Sequence, residues 1–202
     1  MFARMFCRLG AGTLVALFLA GMASAETYRI DTVHSSVAFS IRHLVGRTTG
    51  KFTGFSGTVV YDPDHAEKSS VQATIRVASI DTDNEKRDAH LRGPDFFGAE
   101  TYPEITFRST ATKREGDRLL VSGDLTMHGT TRQVILPVEI LGTAVHPMRK
   151  VPVIGFAAEL TVKRSNFGVN SWTDVAGVLG DEVKVTLNIE AVGKTPVQPA
   201  EK

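Results

Sequence analysis

The chain has 202 residues, which suits one domain with a hydrophobic core of its own. Its only cysteine, Cys7, excludes an intramolecular disulfide and a cysteine-rich metal site. The 23 basic and 22 acidic residues are scattered, so the chain lacks the basic surplus expected of a nucleic-acid-binding protein.

The first 25 residues have the features of a secretory signal peptide, in the usual order. Arg4 and Arg8 make a positive start, residues 11–20 are apolar, and residues 23–25 (Ala-Ser-Ala) form a peptidase site before Glu26. The apolar segment is shorter than the about 20 residues that cross a bilayer. We therefore predict a cleaved signal peptide at 1–25, a periplasmic location and no transmembrane segment after cleavage. An uncleaved anchor helix is the alternative.

Apolar and polar residues alternate along almost all of 26–193, as in strands with one buried face. We count about nine strand candidates, many separated by turn signals such as Asp62-Pro63-Asp64 and His128-Gly129. The chain is therefore predicted to be an antiparallel β protein. The apolar rows of its buried faces are Val37/Phe39/Ile41/His43, Val71/Ala73/Ile75/Val77, Ile105/Phe107, Leu119/Val121/Leu125/Met127, Val134/Leu136/Val138/Ile140, Phe156/Ala158/Leu160/Val162 and Val183/Val185/Leu187/Ile189.

Two segments depart from the strand pattern. Residues 83–92 are polar, lack β-branched side chains and end at Gly93-Pro94, which predicts a short helix with Asp83 near its N-terminal cap. Residues 194–202 are polar and contain proline, which predicts a flexible tail after a domain at 26–193.

The strands must protect their edges, either as a closed antiparallel barrel or as a two-layer sandwich, and alternation alone leaves both open. Many predicted inward positions are Val, Ala, Ile and Leu. A barrel of about eight strands with so small a lining has room for a slender apolar guest.

Several motifs together resemble the YceI family of lipocalin-like, polyisoprenoid-binding periplasmic proteins. Each motif is weak alone, but their order and spacing over nearly the whole of 26–193 make the resemblance specific. Tyr28 stands where the family often has Trp, which is a conservative departure. The matching segments are IDTVHSSVAFSIRHL from Ile30, GKFTGFSG from Gly50, RDAHLRGPDFF from Arg87, YPEITFRS from Tyr102, GDLTMHG from Gly123 and RSNFG from Arg164.

The resemblance implies a closed antiparallel lipocalin-like barrel with a short helix, an internal apolar tunnel and an isoprenoid or fatty-acyl guest. Alternation then nominates seven side chains for the tunnel lining, with a closed, dry core as the alternative. They are Phe39, Ile41, Ile75, Val77, Leu125, Leu160 and Leu187.

Polar residues and one tryptophan are the candidates for contacts with a lipid head group at the barrel mouth. Arg87 and Asp88 could instead pair with strand residues and plug the barrel end, Arg164 could be a rim residue, and Trp172 could only staple its loop. Phe96 and Phe97 either close the cavity or pack as ordinary core, which is favoured. The mouth candidates are His43, Arg87, Asp88, His90, Arg164 and Trp172.

We predict no catalytic residue and no metal site. His34 lies near Asp31 and Ser35, but Ser35 is outside a G-x-S-x-G motif, and the histidines lack metal-binding spacing. The predicted function is therefore periplasmic binding or carriage of a long apolar lipid, with no cofactor required and an isoprenoid quinone as one plausible guest. An enzyme acting on an isoprenoid or quinone head group and a stress-response interaction module are the alternatives. A homodimer stays open.

Overall fold

The alternating residues fold as strands along most of the described chain, which covers residues 25–172 and 177–194 of a computed structural model. Residues 1–24 of the predicted signal peptide and 195–202 of the predicted tail lie outside this part. The elements are β1 (Glu26–Ile30), β2 (Ser36–His43), β3 (Gly46–Phe52), β4 (Phe55–Tyr61), β5 (Ser70–Arg76), β6 (Ile80–Asp81), α1 (Glu85–Arg92), β7 (Glu104–Glu115), β8 (Arg118–Met127), β9 (Thr130–Val145), β10 (Pro152–Lys163) and β11 (Leu179–Gly193).

Three pairs of consecutive segments act as single, interrupted strands. β1 and β2 both pair with β11, at its C-terminal and N-terminal parts respectively. Backbone hydrogen bonds from Thr53 N to Ser79 O (3.1 Å) and from Arg76 N to Gly54 O (2.8 Å) continue the pairing of β3–β4 with β5–β6. The eleven segments therefore behave as eight long strands.

Each of the eight strands pairs antiparallel with the next, and β11 pairs back with β1 and β2. The sheet is thus closed on itself, which satisfies the backbone groups that an open sheet would expose at its edges. The predicted closed antiparallel barrel with a short helix is confirmed, and the two-layer sandwich is excluded.

The interruption between β1 and β2 is a short loop anchored on the neighbouring strand, β11. The Asp31 backbone N–H donates to the Glu190 carbonyl oxygen at 2.8 Å. The Ser35 hydroxyl accepts from Glu190 N at 2.9 Å and donates to Glu190 O at 3.2 Å. The loop therefore bulges outward without opening the barrel, and the Ser35 hydroxyl is engaged by the backbone.

The predicted helix is present but begins two residues later than expected. Asn84 is the N-terminal cap, and its side-chain oxygen accepts from Arg87 N at 3.0 Å. Asp83 lies before the cap with a left-handed φ of 57°. Asn and Asp are both good caps, and both tolerate a left-handed φ. The sequence Asp83-Asn84 therefore does not show which of the two residues is the cap. No helix in the described part is long and apolar enough to cross a bilayer.

The two ends of the barrel differ. The helix end carries the β2–β3 hairpin, α1, the β8–β9 turn and the β10–β11 connection. The opposite end carries the chain entry at β1 and the β4–β5, β7–β8 and β9–β10 connections. Buried Tyr28, Tyr61, Leu119, Ile154 and Phe156 pack together there, so we call it the closed end.

Candidate ligand-binding cavity

A cavity of about 660 Å³ occupies the inside of the barrel. Every one of the eight long strands contributes to its wall, and the inward side chains are mostly Val, Ile, Leu and Phe. Ligand cavities in proteins typically measure about 300–1,000 Å³ and are largely apolar. The barrel is therefore hollow on the scale of a small ligand.

Paired residues on neighbouring strands show that the interior is hollow. Leu160 pairs with Val185 and Val162 pairs with Val183 across β10 and β11, and all four line the cavity. These inward apolar side chains are only half-buried, because they face empty space instead of one another. A packed core would leave little such exposure.

Six of the seven predicted tunnel-lining residues line the cavity, and one does not. Phe39, Ile41, Ile75, Leu125, Leu160 and Leu187 lie on the cavity wall. Val77 does not: it begins a 3-10 turn at Val77–Ser79, where the strand alternation stops, and its N–H donates to Pro103 O at 2.9 Å. It is 1% exposed and packs in the core with Ile80 and Ile105. Its assignment to the lining is wrong.

Five of the six predicted mouth residues border the cavity, namely His43, Arg87, His90, Arg164 and Trp172. Most of them are also exposed, and they all lie at the helix end, so the cavity opens there. Asp88 is the exception. It is 6% exposed and accepts from both the backbone N–H and the hydroxyl of Thr82. Asp88 therefore holds α1 to the end of β6, and placing it at the mouth is wrong.

Arg87 combines both roles that its sequence position allowed. Its Nε donates to Thr82 Oγ1 at 2.8 Å and its Nη2 to Thr82 O at 2.6 Å, yet its side chain also borders the cavity. Both acceptors are neutral, so neither of them offsets the positive charge of the guanidinium beside the opening.

Three aromatic rings meet at one side of the mouth. His90 packs edge-on against Phe96 at a centroid distance of 4.9 Å and against Trp172 at 5.8 Å. Phe96 and Trp172 lie 6.0 Å apart. Phe96 and Phe97 both border the cavity, and Phe96 is buried. The helix, the segment after it and the β10–β11 connection thus build one wall of the opening.

Arg164 is a buried cation at the mouth. Its Nε donates to Gly180 O at 2.9 Å, and its Nη1 donates to Val169 O at 2.8 Å and Ser171 O at 2.7 Å. Within residues 25–172 and 177–194 its Nη2 has no hydrogen-bond partner. Burial lowers the pKa of this guanidinium, and the charge of Asp181 partly offsets that effect. Arg164 therefore holds the β10–β11 connection in place.

The floor of the cavity was not recognised from the sequence. Tyr61 and Phe156 meet edge-on at 6.1 Å, and Thr112 donates to Ser69 O at 2.9 Å beside them. Unbroken alternation from Ile105 would point Thr112 outward. A register shift between Ser109 and Ala111 turns it inward, and a bulge of this kind leaves no clear signature in the sequence.

One cluster of titratable groups lies away from the cavity. Asp31, His34 and Glu190 place donor atoms within 4.8 Å of one another, but none of them borders the cavity. His34 Nδ1 lies 3.2 Å from Asp31 Oδ2, and this bond is the main reason why the pKa of Asp31 is lowered. Arg149 Nη2, 4.0 Å from Asp31 Oδ2, already supplies a positive charge there.

The fold and the cavity define a lipocalin-like barrel with an apolar interior and one open end. A family model described as YceI-like domain matches residues 28–191. The chain belongs to this YceI family. Protein YceI of Escherichia coli O157:H7 is 36% identical over 187 residues, which cover 91% of this chain and 96% of the relative.

Solved structures share the same barrel. Burkholderia cenocepacia BcnA matches with a TM-score of 0.73 and 32% identity, over 80% of this chain and 98% of BcnA. A polyisoprenoid binding domain from Saccharophagus degradans, implicated in plant cell wall breakdown, matches with a TM-score of 0.63 over 83% of this chain and 98% of that domain. Its identity is 18%, so this second likeness concerns the fold.

Proposed function

We propose that the protein binds and carries one long-chain apolar lipid in the barrel after export to the periplasm. The observation that carries the proposal is the apolar cavity of about 660 Å³, which is open at the helix end and closed at the other. A slender isoprenoid or fatty-acyl tail fits such a lining. The polyisoprenoid binding domain from Saccharophagus degradans uses the same fold and supports the proposal.

Burial of the tail supplies the binding energy. Each methylene removed from water contributes about 0.8 kcal/mol, so about ten of them give about 8 kcal/mol before the costs of association. Such a gain needs neither a cofactor nor a covalent bond. Because a membrane offers the lipid tail a similar gain, an apolar barrel interior can compete with a membrane for the lipid.

The head group would stay at the mouth, next to the polar side chains. Arg87 and Lys86 offer positive charge there, and the rings of His43, His90 and Trp172 border the opening. A phosphate, carboxylate, amide or quinone head could accept a hydrogen bond from this group of side chains. An isoprenoid quinone is therefore one guest that fits both parts of the site.

A bulky substitution inside the barrel tests the proposal. Leu160 faces the cavity, whereas the next residue, Thr161, is exposed on the outside of the same strand. We expect Leu160→Trp to weaken uptake of a dansyl-labelled farnesyl chain by at least about tenfold, which equals the loss of about two buried methylenes. Thr161→Trp should leave uptake unchanged. Equal uptake by both variants would contradict binding inside the barrel.

An interaction module is the second candidate, because the outer face of β9 is partly apolar. Ile135 and Leu141 are each 59% exposed. Such a face could contact an envelope protein or a second copy of the chain. Light scattering of Ile135→Ser against the unchanged protein tests the homodimer: a dimer that persists in the variant excludes this face as its contact.

A further inference from the structure

The cavity mouth has an apolar tip. The β2–β3 hairpin ends in a two-residue loop, Leu44-Val45, between the paired residues His43 and Gly46. Leu44 is 53% exposed, and Val45 is fully exposed. His43 borders the cavity directly, so this tip stands at the edge of the opening.

The backbone at this tip is strained for the residue that occupies it. Leu44 has a left-handed φ of 50°, and its N–H donates at 2.8 Å to the carbonyl oxygen of Val178, which directly precedes the neighbouring strand β11. Two-residue hairpin loops strongly favour Gly, Asn or Asp in such a conformation. An exposed leucine and valine improve neither the turn nor the solubility, which points to a partner for them.

Trp172 repeats this combination on another part of the rim. It is 44% exposed, has a left-handed φ of 63° and borders the cavity. Two bulky apolar residues thus hold unfavourable backbone conformations at the same end of the barrel. The large exposed apolar residues near the closed end, Val33, Val145 and Met148, do not border the cavity.

Positive charges lie beside the apolar tip. Arg42 Nη1 donates to Leu44 O at 3.0 Å and to Gly177 O at 2.8 Å, while Arg47 donates to Ser40. Lys86 and Arg87 on α1 also border the cavity at this end of the barrel. None of these four cations has a carboxylate within 4.0 Å in the described part of the chain. The carboxylate of Asp95, near the end of α1, lies 3.5 Å from His90.

We propose that this rim, formed by Leu44, Val45 and Trp172 with the four cations, docks on an anionic lipid bilayer. Apolar side chains would enter the boundary of the acyl chains, and the cations would meet the anionic head groups. The opening would then face the membrane, so a lipid tail could pass between bilayer and barrel without crossing water. This exchange rests on the proposed function, whereas the docking does not.

Vesicle co-sedimentation tests the docking. We expect the mature protein to bind vesicles of phosphatidylcholine mixed with phosphatidylglycerol, and to bind phosphatidylcholine alone much more weakly. Val45→Ser should lower binding to the mixed vesicles about tenfold, from the lost apolar contact. Arg47→Gln should lower it about fivefold, and only when the anionic lipid is present. Met148→Ser, at the closed end, is the control and should bind as the unchanged protein does.

The docking and the lipid binding can fail separately. Uptake of the dansyl-labelled farnesyl chain in the absence of vesicles should be unchanged in Val45→Ser. Loss of vesicle binding in this variant with normal uptake supports the docking. Equal vesicle binding by Val45→Ser, Arg47→Gln and the unchanged protein would overturn it. A dimer that forms without vesicles and disappears in Val45→Ser would also overturn it, because it would assign the rim to a second copy of the chain.

Discussion

The ring of Phe39 lies across the backbone of Gly50, its partner on the neighbouring strand. A Cβ atom at Gly50 would come within 2.5 Å of Phe39 Cζ and 2.7 Å of Thr82 Cγ2. Gly123 stands in the same relation to Phe107, with its Cβ position 2.5 Å from the Cζ atom. In both places glycine lets an aromatic ring lie against the barrel wall, which leaves the middle of the cavity free.

Gly50→Ala should therefore disturb both the barrel and the cavity. We expect the free energy of unfolding to fall by about 1–3 kcal/mol, as for other overpacked interiors, because the Phe39 ring must move inward. Urea unfolding measures this change. Gly46→Ala on the same strand is the control, since its Cβ would meet no atom closer than 3.9 Å. Equal stability of the two variants would contradict the steric role of Gly50.

Asp88 is expected to matter for stability and not for direct contact with a ligand. Asp88→Ala leaves the Thr82 N–H and hydroxyl without their acceptor in a buried place. The cost should be about 2–3 kcal/mol, measured by chemical denaturation. Glu85→Ala, on the exposed side of the same helix, should change stability little. A neutral effect of Asp88→Ala would mean that α1 is held by other contacts.

Acid should weaken the β10–β11 connection through Asp181. Burial raises the pKa of this carboxyl, but hydrogen bonds from the Ser165 N–H and hydroxyl, with the charge of Arg164, outweigh it and leave the pKa lowered. The ionised form is thus favoured in the folded state. Its contribution is present above the ordinary carboxyl pKa of about 3.9 and is lost as the pH falls through the lowered value.

Asp181→Asn tests this pH dependence. We expect it to cost about 1 kcal/mol at neutral pH. The cost should shrink as the pH falls below about 4, where the carboxyl of the unfolded chain takes up its proton, and should vanish once the pH is below the lowered pKa of the native carboxyl. Stability measured against pH for the variant, the unchanged protein and the exposed neighbour variant Glu182→Gln provides the comparison. A constant difference between Asp181→Asn and the unchanged protein across this range would contradict the assignment.

Trp172 should report on the cavity, because it is the only tryptophan of the chain and borders the opening while 44% exposed. A bound tail would displace water from its ring. We expect its fluorescence emission to shift to shorter wavelength and to saturate at one guest per barrel. Titration with a non-fluorescent prenyl alcohol measures the shift. Unchanged emission at saturating guest would place the lipid away from this rim.

Period-2 alternation was enough to predict which residues face inward on β2, β8, β10 and β11, because these strands keep one register along their apolar rows. It failed where the backbone leaves the extended conformation, as at Val77. It also failed at Asp88, because a polar residue beside a cavity and one that caps a strand end look alike in sequence. The errors at Val77 and Asp88 would arise whether or not the fold had been recognised.

Closure of the barrel depends on pairing between residues far apart in the chain, such as Tyr28 with Gly193. Alternation is the same in barrels and sandwiches, so only the resemblance to a known family distinguished them beforehand. The cavity has a similar origin. Phe39 and Phe107 lie over Gly50 and Gly123 at its wall, and this placement follows from strand register, which the sequence does not display.

The identity of the guest is the most direct test of lipid binding. Native mass spectrometry of the mature protein from its own cell envelope, followed by organic extraction, measures whether a lipid is bound and of which class. We predict one isoprenoid or acyl lipid per barrel. A protein that is free of lipid and takes up no added isoprenoid lipid would contradict the carrier function and leave only the fold.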